Sequence, residues 1–270
     1  MLYREYGKTG KKLSVIGFGG MRFSNPTDID ESAELVLHAY HKGINYFDTA
    51  PHYCHDCSED IMGRAIQGMK RADFFISTKS AKVKGSKLRG DLEKSLRRLG
   101  VNKIDFYHLW CVLSKENWQE RKKGGVIDEA LKAKEEGLID HLVISSHLVG
   151  SDLSVILDEG FLEGVTLGYC AINFPYREEA VTKAGSLKLG VVTMNPLGGG
   201  LIPMNAQRFS FLKTDNDRSV VEASLRFNIS NSDVTCALVG FSSIEQIDEA
   251  VAATENFTPH PPERIQEIRT

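Results

Sequence analysis

Short apolar runs alternate with segments of helical spacing eight times along this chain, with no break in composition between the units. No other feature restricts the fold as strongly. Parallel strands need helical crossovers, the helices cover the sheet, and eight such units close into a ring. The runs fall at 14–20, at the stretch ending in Asp48, and at 74–79, 104–109, 141–144, 165–169, 190–194 and 236–239. Apolar residues at three- and four-residue spacing mark helices at 30–42, 58–69, 86–99, 126–136, 153–157, 178–187, 219–228 and 244–252. The fold expected is α/β: one (β/α)8 TIM barrel domain over 1–270, preceded by a short hairpin around Gly7-Lys8-Thr9-Gly10. A tail at 259–262 reads as extended, with a final helical stretch at 263–269.

Bulk composition narrows the function classes. A length of 270 residues suits a barrel of about 250. The formal net charge of −3 offers no electrostatic case for nucleic acid or an acidic membrane. No apolar run reaches the roughly 20 residues that span a bilayer, and the start Met1-Leu2-Tyr3-Arg4-Glu5-Tyr6 has no signal-peptide core, so a cytoplasmic location is expected. Five scattered cysteines imply reduced thiols. Cys111, Cys170 and Cys236 sit among apolar residues, whereas Cys54 and Cys57 join His52 and His55 in a dense His-Tyr-Cys-His-Asp-Cys loop. That loop has the ligand types of a soft-metal site, but a single Cys-x-x-Cys reads first as an active-site loop with incidental thiols, and no metal site is assigned.

Active sites of such barrels lie at the C-terminal strand ends. Topology alone puts Asp48, Tyr53 and Lys79 there. A carbonyl that accepts hydride develops negative charge on oxygen and needs a proton donor beside it. Tyr53 fits that role, with Lys79 as a cation expected to lower the phenol's pKa and Asp48 as the anchor of Lys79. The plainer reading is a buried aspartate paired with a lysine, and a tyrosine on the rim.

The stretch Gly43-Ile44-Asn45-Tyr46-Phe47-Asp48-Thr49-Ala50-Pro51, followed by Tyr53, Ser58-Glu59 and Gly63, resembles the signature of the aldo-keto reductases. Ile76-Ser77-Thr78-Lys79, Asn195-Pro196-Leu197-Gly198-Gly199-Gly200 and Gly240-Phe241-Ser242-Ser243-Ile244-Glu245-Gln246 are similar to further family motifs, in the family's order. The resemblance implies a TIM barrel, a nicotinamide cofactor and a tyrosine proton donor. It also implies a catalytic tetrad, of which Asp48, Tyr53 and Lys79 are three members. Trp110 stands where the family places a histidine. An indole donates a hydrogen bond but is no acid or base, so Trp110 is expected to wall the pocket. His108 lies two residues earlier, about 7 Å lower on the same strand face, and is expected to be a satisfied interior histidine.

The same resemblance implies the cofactor residues. Glycines at the first strand end, Gly20 among them, would admit a ligand to the backbone, with a tight turn as the alternative. Ser145-Ser146-His147 replaces a frequent Ser-Asn-Phe near the carboxamide, and Tyr169 and Asn173 flank the place of a frequent glutamine. Met194 or Asn195 stands where many members stack a tyrosine. Pro196, Leu197, Gly198 and Gly200 belong to a loop that would approach the pyrophosphate, with a tight barrel turn before Leu201-Ile202 as the equal alternative. Ser242 precedes a helix start that suits a phosphate, Gln246 takes the usual arginine position, and Glu249 takes one that commonly contacts adenine. NADPH is the cofactor the family implies; the absence of Lys or Arg from 241–247 keeps NADH as the alternative. Asp105-Phe106-Tyr107-His108-Leu109 resembles the branch that often carries a ferredoxin-like cysteine cluster, which this sequence lacks, so an iron–sulfur partner would have to be a separate protein. The function expected is reduction of an aldehyde or ketone to an alcohol. The alternatives are a nucleotide-binding barrel with a sensor or interaction role, and a metal-assisted enzyme using the His52–Cys57 loop. Substrate choice is assigned to the loops 111–125 and 203–217 and the residues after Asn256, with Trp118, Phe209 and Phe211 as apolar walls or, as lone aromatics more often are, core residues.

Overall fold

In the computed structural model, which describes residues 1–269, the eight central strands close in the order β10-β3-β4-β5-β6-β7-β8-β9. The strands are β1 (Tyr3–Glu5), β2 (Lys12–Ser14), β3 (Ile16–Gly19), β4 (Tyr46–Asp48), β5 (Phe75–Ser80), β6 (Ile104–Val112), β7 (Ile139–Ser146), β8 (Gly164–Gly168), β9 (Gly190–Met194) and β10 (Cys236–Gly240). The helices are α1 (Ile29–His41), α2 (Ser58–Ile66), α3 (Gly85–Leu99), α4 (Lys115–Lys123), α5 (Val126–Glu135), α6 (Gly150–Leu157), α7 (Glu178–Ser186), α8 (Leu201–Met204), α9 (Val220–Ser230), α10 (Ile244–Ala252) and α11 (Pro262–Arg269). All pairings in the ring are parallel, whereas β1 and β2 form the antiparallel N-terminal hairpin. The (β/α)8 barrel with its hairpin is therefore present as the alternation predicts. No helix among the described residues is long and apolar enough to cross a membrane.

Two cores follow from the period of two along each strand. Residues on the outward face pack against the helices; on α3, Leu88, Leu92 and Leu99 are fully buried in that layer. Truncating one of them to alanine would cost about 2–5 kcal/mol. Inward residues form a smaller cluster of Tyr6, Leu13, Tyr46, Phe106, Val143, Val192, Cys236 and Leu238. Tyr6 comes from the hairpin and seals the floor: a Cβ on Gly164 or Gly190 would stand 1.9 or 2.3 Å from its side chain. With the floor closed, only the C-terminal strand ends remain for chemistry.

Two departures from the sequence reading bear on the site. β6 runs past 109 to Val112, through a register shift at which Cys111 takes a left-handed φ of 61°. Residues 111–125, read above as a loop, contain α4, capped by Ser114, whose hydroxyl accepts from the Asn117 N–H. Only Trp118 and Arg121 of α4 are buried, so the helix has no apolar period to betray it. Of the two readings of Trp118, pocket wall and core residue, the structure selects the core residue. Its Nε1 donates to Glu159 at 2.8 Å and its ring stacks on Phe161 at 6.2 Å.

Candidate active site

Alternation along β4 and β5 turns Tyr46, Asp48, Ser77 and Lys79 into the barrel, with Asp48 abreast of Ser77. Lys79 Nζ donates to both Asp48 oxygens at 2.5 Å and to the Thr49 carbonyl at 2.7 Å. Ser77 Oγ donates to Asp48 Oδ1. Both charged side chains are only 3% exposed. Burial lowers the Lys79 pKa, and Asp48 opposes that shift. The ammonium lies 5.3 Å from the centre of the Tyr53 ring.

Tyr53 is carried by an unusual loop. His52, Cys54, His55 and Asp56 all have left-handed φ, between 53° and 70°, and none is glycine. Each such residue costs roughly 1–2 kcal/mol, so the loop persists only where contacts hold it. Asp56 supplies them. Its carboxylate accepts from the His52 N–H at 3.2 Å, from Lys94 at 3.3 Å and from Arg98 Nη1 at 2.7 Å. Arg98 Nη2 also donates to the Asp56 carbonyl and to Asp60. Burial would raise the Asp56 pKa, but Arg98, the His52 N–H and Lys94 together bring it down to about 2. The thiols point to backbone oxygens: Cys54 Sγ to Gly20 at 3.5 Å and Cys57 Sγ to His55 at 3.8 Å. Among the described residues, no group of three or more His, Cys, Asp and Glu side chains converges as a metal would require.

The expected lowering of the Tyr53 pKa is corrected by its surroundings. Burial, then Asp48, Cys111 and Cys54, push the phenol well above its ordinary value. The phenol therefore rests protonated. Trp110 meets it edge to face, with ring centres 5.5 Å apart. His108 lies one layer deeper, fully buried, with Nε2 3.4 Å from the Tyr46 hydroxyl and 3.9 Å from Asp48 Oδ1. Its Nδ1 has no partner, so it is an interior histidine but only half satisfied. Burial, then the Lys79 charge, drives its pKa far down and keeps the imidazole neutral.

The residues expected at the cofactor divide into two groups. Ser145 points inward by alternation and is buried beside Thr166, whose Oγ1 is buried without a partner. Asn195 has a φ of 56°, and Gly198, Gly199 and Gly200 follow at 63°, 68° and 100°. The Gly198 N–H donates to the Asn195 carbonyl, and Pro196 is tied through its carbonyl to Asn228 Nδ2. A Cβ on Gly199 would meet nothing within 4 Å, so the turn after Leu197 leaves open space against its backbone. Gly168 likewise leaves the end of β8 open, with only Asn173 Nδ2 near the place of a Cβ at 3.7 Å, whereas the Arg22 side chain fills the space beside Gly240. These features fit a dinucleotide lying along the mouth. Ser242 donates from N and Oγ to Gln246 Oε1 at 2.9 and 3.1 Å, so Gln246 closes this turn. Glu249 accepts from Ser219 Oγ at 2.6 Å.

Three expectations change. Ser146 Oγ donates to the Val112 carbonyl and accepts from the Leu148 N–H, which fastens the β6–β7 ends and does not face the mouth. Tyr169 packs outside the barrel against Phe174 and Phe227, its hydroxyl accepting from Asn231 Nδ2. Gly20 is a glycine because Ser58 Oγ, bonded to its carbonyl at 2.6 Å, fills the space a Cβ would need. Sequence reading passed over Tyr46 and Ser77, which the period of two from Asp48 and Lys79 would have found. It also passed over Arg98, for which no local signal exists.

The model of the Aldo/keto reductase family matches residues 15–270. Among curated proteins, the chain is 26% identical over 281 residues to the L-galactose dehydrogenase of Arabidopsis thaliana, covering 93% of this chain and 87% of that protein. It is 34% identical over 123 residues to a probable voltage-gated potassium channel subunit beta of the same plant, covering 41% of this chain and 37% of that one. Among solved structures, the holo form of aldo-keto reductase AKR11C1 from Bacillus halodurans superposes with a TM-score of 0.83 at 24% identity, covering 100% of this chain and 95% of that one.

Proposed function

The chain belongs to the aldo/keto reductase family, and from that premise we propose that it reduces an aldehyde or ketone to an alcohol with Tyr53 as the proton donor. The observation that carries this reading is the Lys79 ammonium, 5.3 Å from the Tyr53 ring and held by both oxygens of a buried Asp48. A donor must first hold its proton, and burial ensures that it does. It must then release the proton to an oxygen that is gaining negative charge. The nearby ammonium stabilises the phenolate left behind, while Asp48 opposes the loss of its charge on burial.

A nicotinamide dinucleotide supplies the hydride when bound, NADPH by family usage and NADH as the alternative. Ser145, Asn195, the 196–200 turn and Ser242 would hold it, with Gln246 and Glu249 towards its adenosine. Trp110 walls the carbonyl site beside Tyr53. The test is Tyr53→Phe. The substitution keeps the ring and should leave dinucleotide affinity unchanged while cutting turnover by roughly 10²–10⁴. Equal turnover in both proteins would remove Tyr53 as the donor. A second reading, dinucleotide binding with a sensor or interaction role and weak turnover, rests on Trp110 in the histidine position. Tight dinucleotide binding without turnover on any carbonyl would select it.

A further inference from the structure

The Lys79–Asp48 pair is tied to three polar side chains beside and beneath it. His108 Nε2 lies 3.4 Å from the Tyr46 hydroxyl, that hydroxyl lies 3.2 Å from Ser77 Oγ, and Ser77 Oγ meets Asp48 Oδ1. The register of β4, β5 and β6 brings them together, with Asp48 abreast of Ser77 and Lys79 abreast of His108. Tyr46, Asp48, Ser77 and His108 are each at most 2% exposed, so every polar hydrogen among them must find its acceptor inside the barrel.

Counting those hydrogens gives the contacts a direction. Each hydroxyl has one hydrogen to give, and a carboxylate only accepts. The Ser77 hydrogen therefore goes to Asp48. Ser77 Oγ is left with lone pairs towards Tyr46, so the Tyr46 hydrogen goes to Ser77. The Tyr46 oxygen then faces His108 with lone pairs, and the imidazole hydrogen must stand on Nε2. Asp48 Oδ1, at 3.9 Å from Nε2, is too far to take that hydrogen. Burial, then the Lys79 charge, keeps the ring neutral; burial, then Asp48, keeps the Tyr46 phenol protonated. The opposite tautomer fails twice. Its Nε2 would claim the Tyr46 hydrogen and leave the Tyr46 and Ser77 oxygens facing each other with no hydrogen between them. Its Nδ1 would carry a buried N–H with no acceptor, whereas a bare lone pair on Nδ1 is the lesser cost.

We propose that His108, Tyr46 and Ser77 are positioning residues for Tyr53, forming a one-way hydrogen-bond chain from Nε2–H through the two hydroxyls to Asp48 Oδ1. The chain reaches proton transfer only through Asp48 and Lys79, so its catalytic part rests on the reductase reading; its direction rests on the hydrogen count alone. Each bond polarises the next, and all three donors run towards the carboxylate. A carboxylate free to turn would carry Lys79 Nζ with it and change the ammonium's 5.3 Å distance from the Tyr53 ring. Ser77 prevents that turn by fixing Oδ1, and Tyr46 and His108 fix Ser77. The histidine of β6 thus serves the carboxylate, two residues before the Trp110 that walls the carbonyl site.

The direction of the chain is read without turnover, from the ring nitrogens of ¹⁵N-labelled histidine, with the His108 signals assigned by their loss in His108→Gln. Wild type should show Nε2 protonated and Nδ1 bare. The Nε2 signal should shift in Tyr46→Phe, which keeps the ring against Phe106. The opposite tautomer, or a ring protonated at both nitrogens, overturns the chain. Initial rates then test positioning. Tyr46→Phe and His108→Leu should each lower kcat by about 2- to 10-fold, the worth of one neutral hydrogen bond, with dinucleotide affinity unchanged. His108→Gln retains an N–H near the place of Nε2 and should lose less than His108→Leu. The double variant should lose no more than Tyr46→Phe alone, because both changes cut the same chain. Losses that multiply, or a fall in melting temperature with kcat unchanged, would leave these residues as packing and overturn the proposal. An Nε2–H tautomer in a protein that turns over no carbonyl leaves the chain and rejects the reductase. Turnover with the opposite tautomer rejects the chain and leaves the reductase.

Discussion

Lys79→Met separates the structural from the chemical work of the central ion pair. At 2.5 Å and an effective dielectric of about 20, the Lys79–Asp48 attraction is about 7 kcal/mol. Burying the two ions costs several kcal/mol each, so the intact pair contributes little net stability. Deleting one partner is different. Asp48, only 3% exposed, would keep Ser77 as its donor but lose its cation, and the Thr49 carbonyl would lose its bond from Nζ. Loss of one partner from a buried pair costs about 3–5 kcal/mol. In a chain of this size that lowers the melting temperature by roughly 6–20 °C, at about 2–4 °C per kcal/mol. The double variant Asp48→Asn/Lys79→Met removes both charges and should recover most of that loss while remaining inactive. Thermal melts and carbonyl turnover on all three proteins give the answer. A single variant that melts within a degree or two of wild type would refute the buried-pair reasoning, and a double variant no more stable than the single would refute the idea that Lys79 is held there chiefly for chemistry.

Three further outcomes are expected. Gln246→Arg removes the acceptor that closes the Ser242 turn and adds a cation, so the affinity ratio of NADPH to NADH should rise by about 10-fold or more; an unchanged ratio places the adenosine elsewhere. Trp110→His should speed reduction of ordinary aldehydes if the family's histidine is merely missing, and slow the native reaction while broadening the substrate range if the indole shapes the site, as a carbonyl panel would read. Burial would raise the Glu163 pKa, but His141 and Lys134 bring it to about 2, against an unfolded value of about 4.3. Its stabilisation is therefore present above pH 4.3 and lost as pH falls towards 2. Allowing for its contact with solvent it is about 1 kcal/mol, and urea melts of Glu163→Gln should lack that part of the acid slope.

How much could be read from the residues alone depends on the range of the interaction involved. Strand and helix signals are local, so the eightfold alternation and the hairpin were legible, as was the convergence of Asp48, Lys79 and Tyr53 at one end of the ring. The period of two also gives the inward face of each strand, which is why His108 could be placed one layer below the site. The register shift at Cys111 was invisible, because a left-handed φ at a non-glycine residue is imposed by its neighbours. α4 was invisible for a related reason: with two buried residues it has no apolar stripe. Only tertiary structure decided that Tyr169 faces the helices, that Gln246 folds back on Ser242 and that Arg98, 42 residues away, holds Asp56 and with it the loop of Tyr53. The burial that pushes the Tyr53 phenol up also belongs to the tertiary structure. A pKa sums burial with every charge within reach, and sequence does not show the desolvation that leads this upward shift.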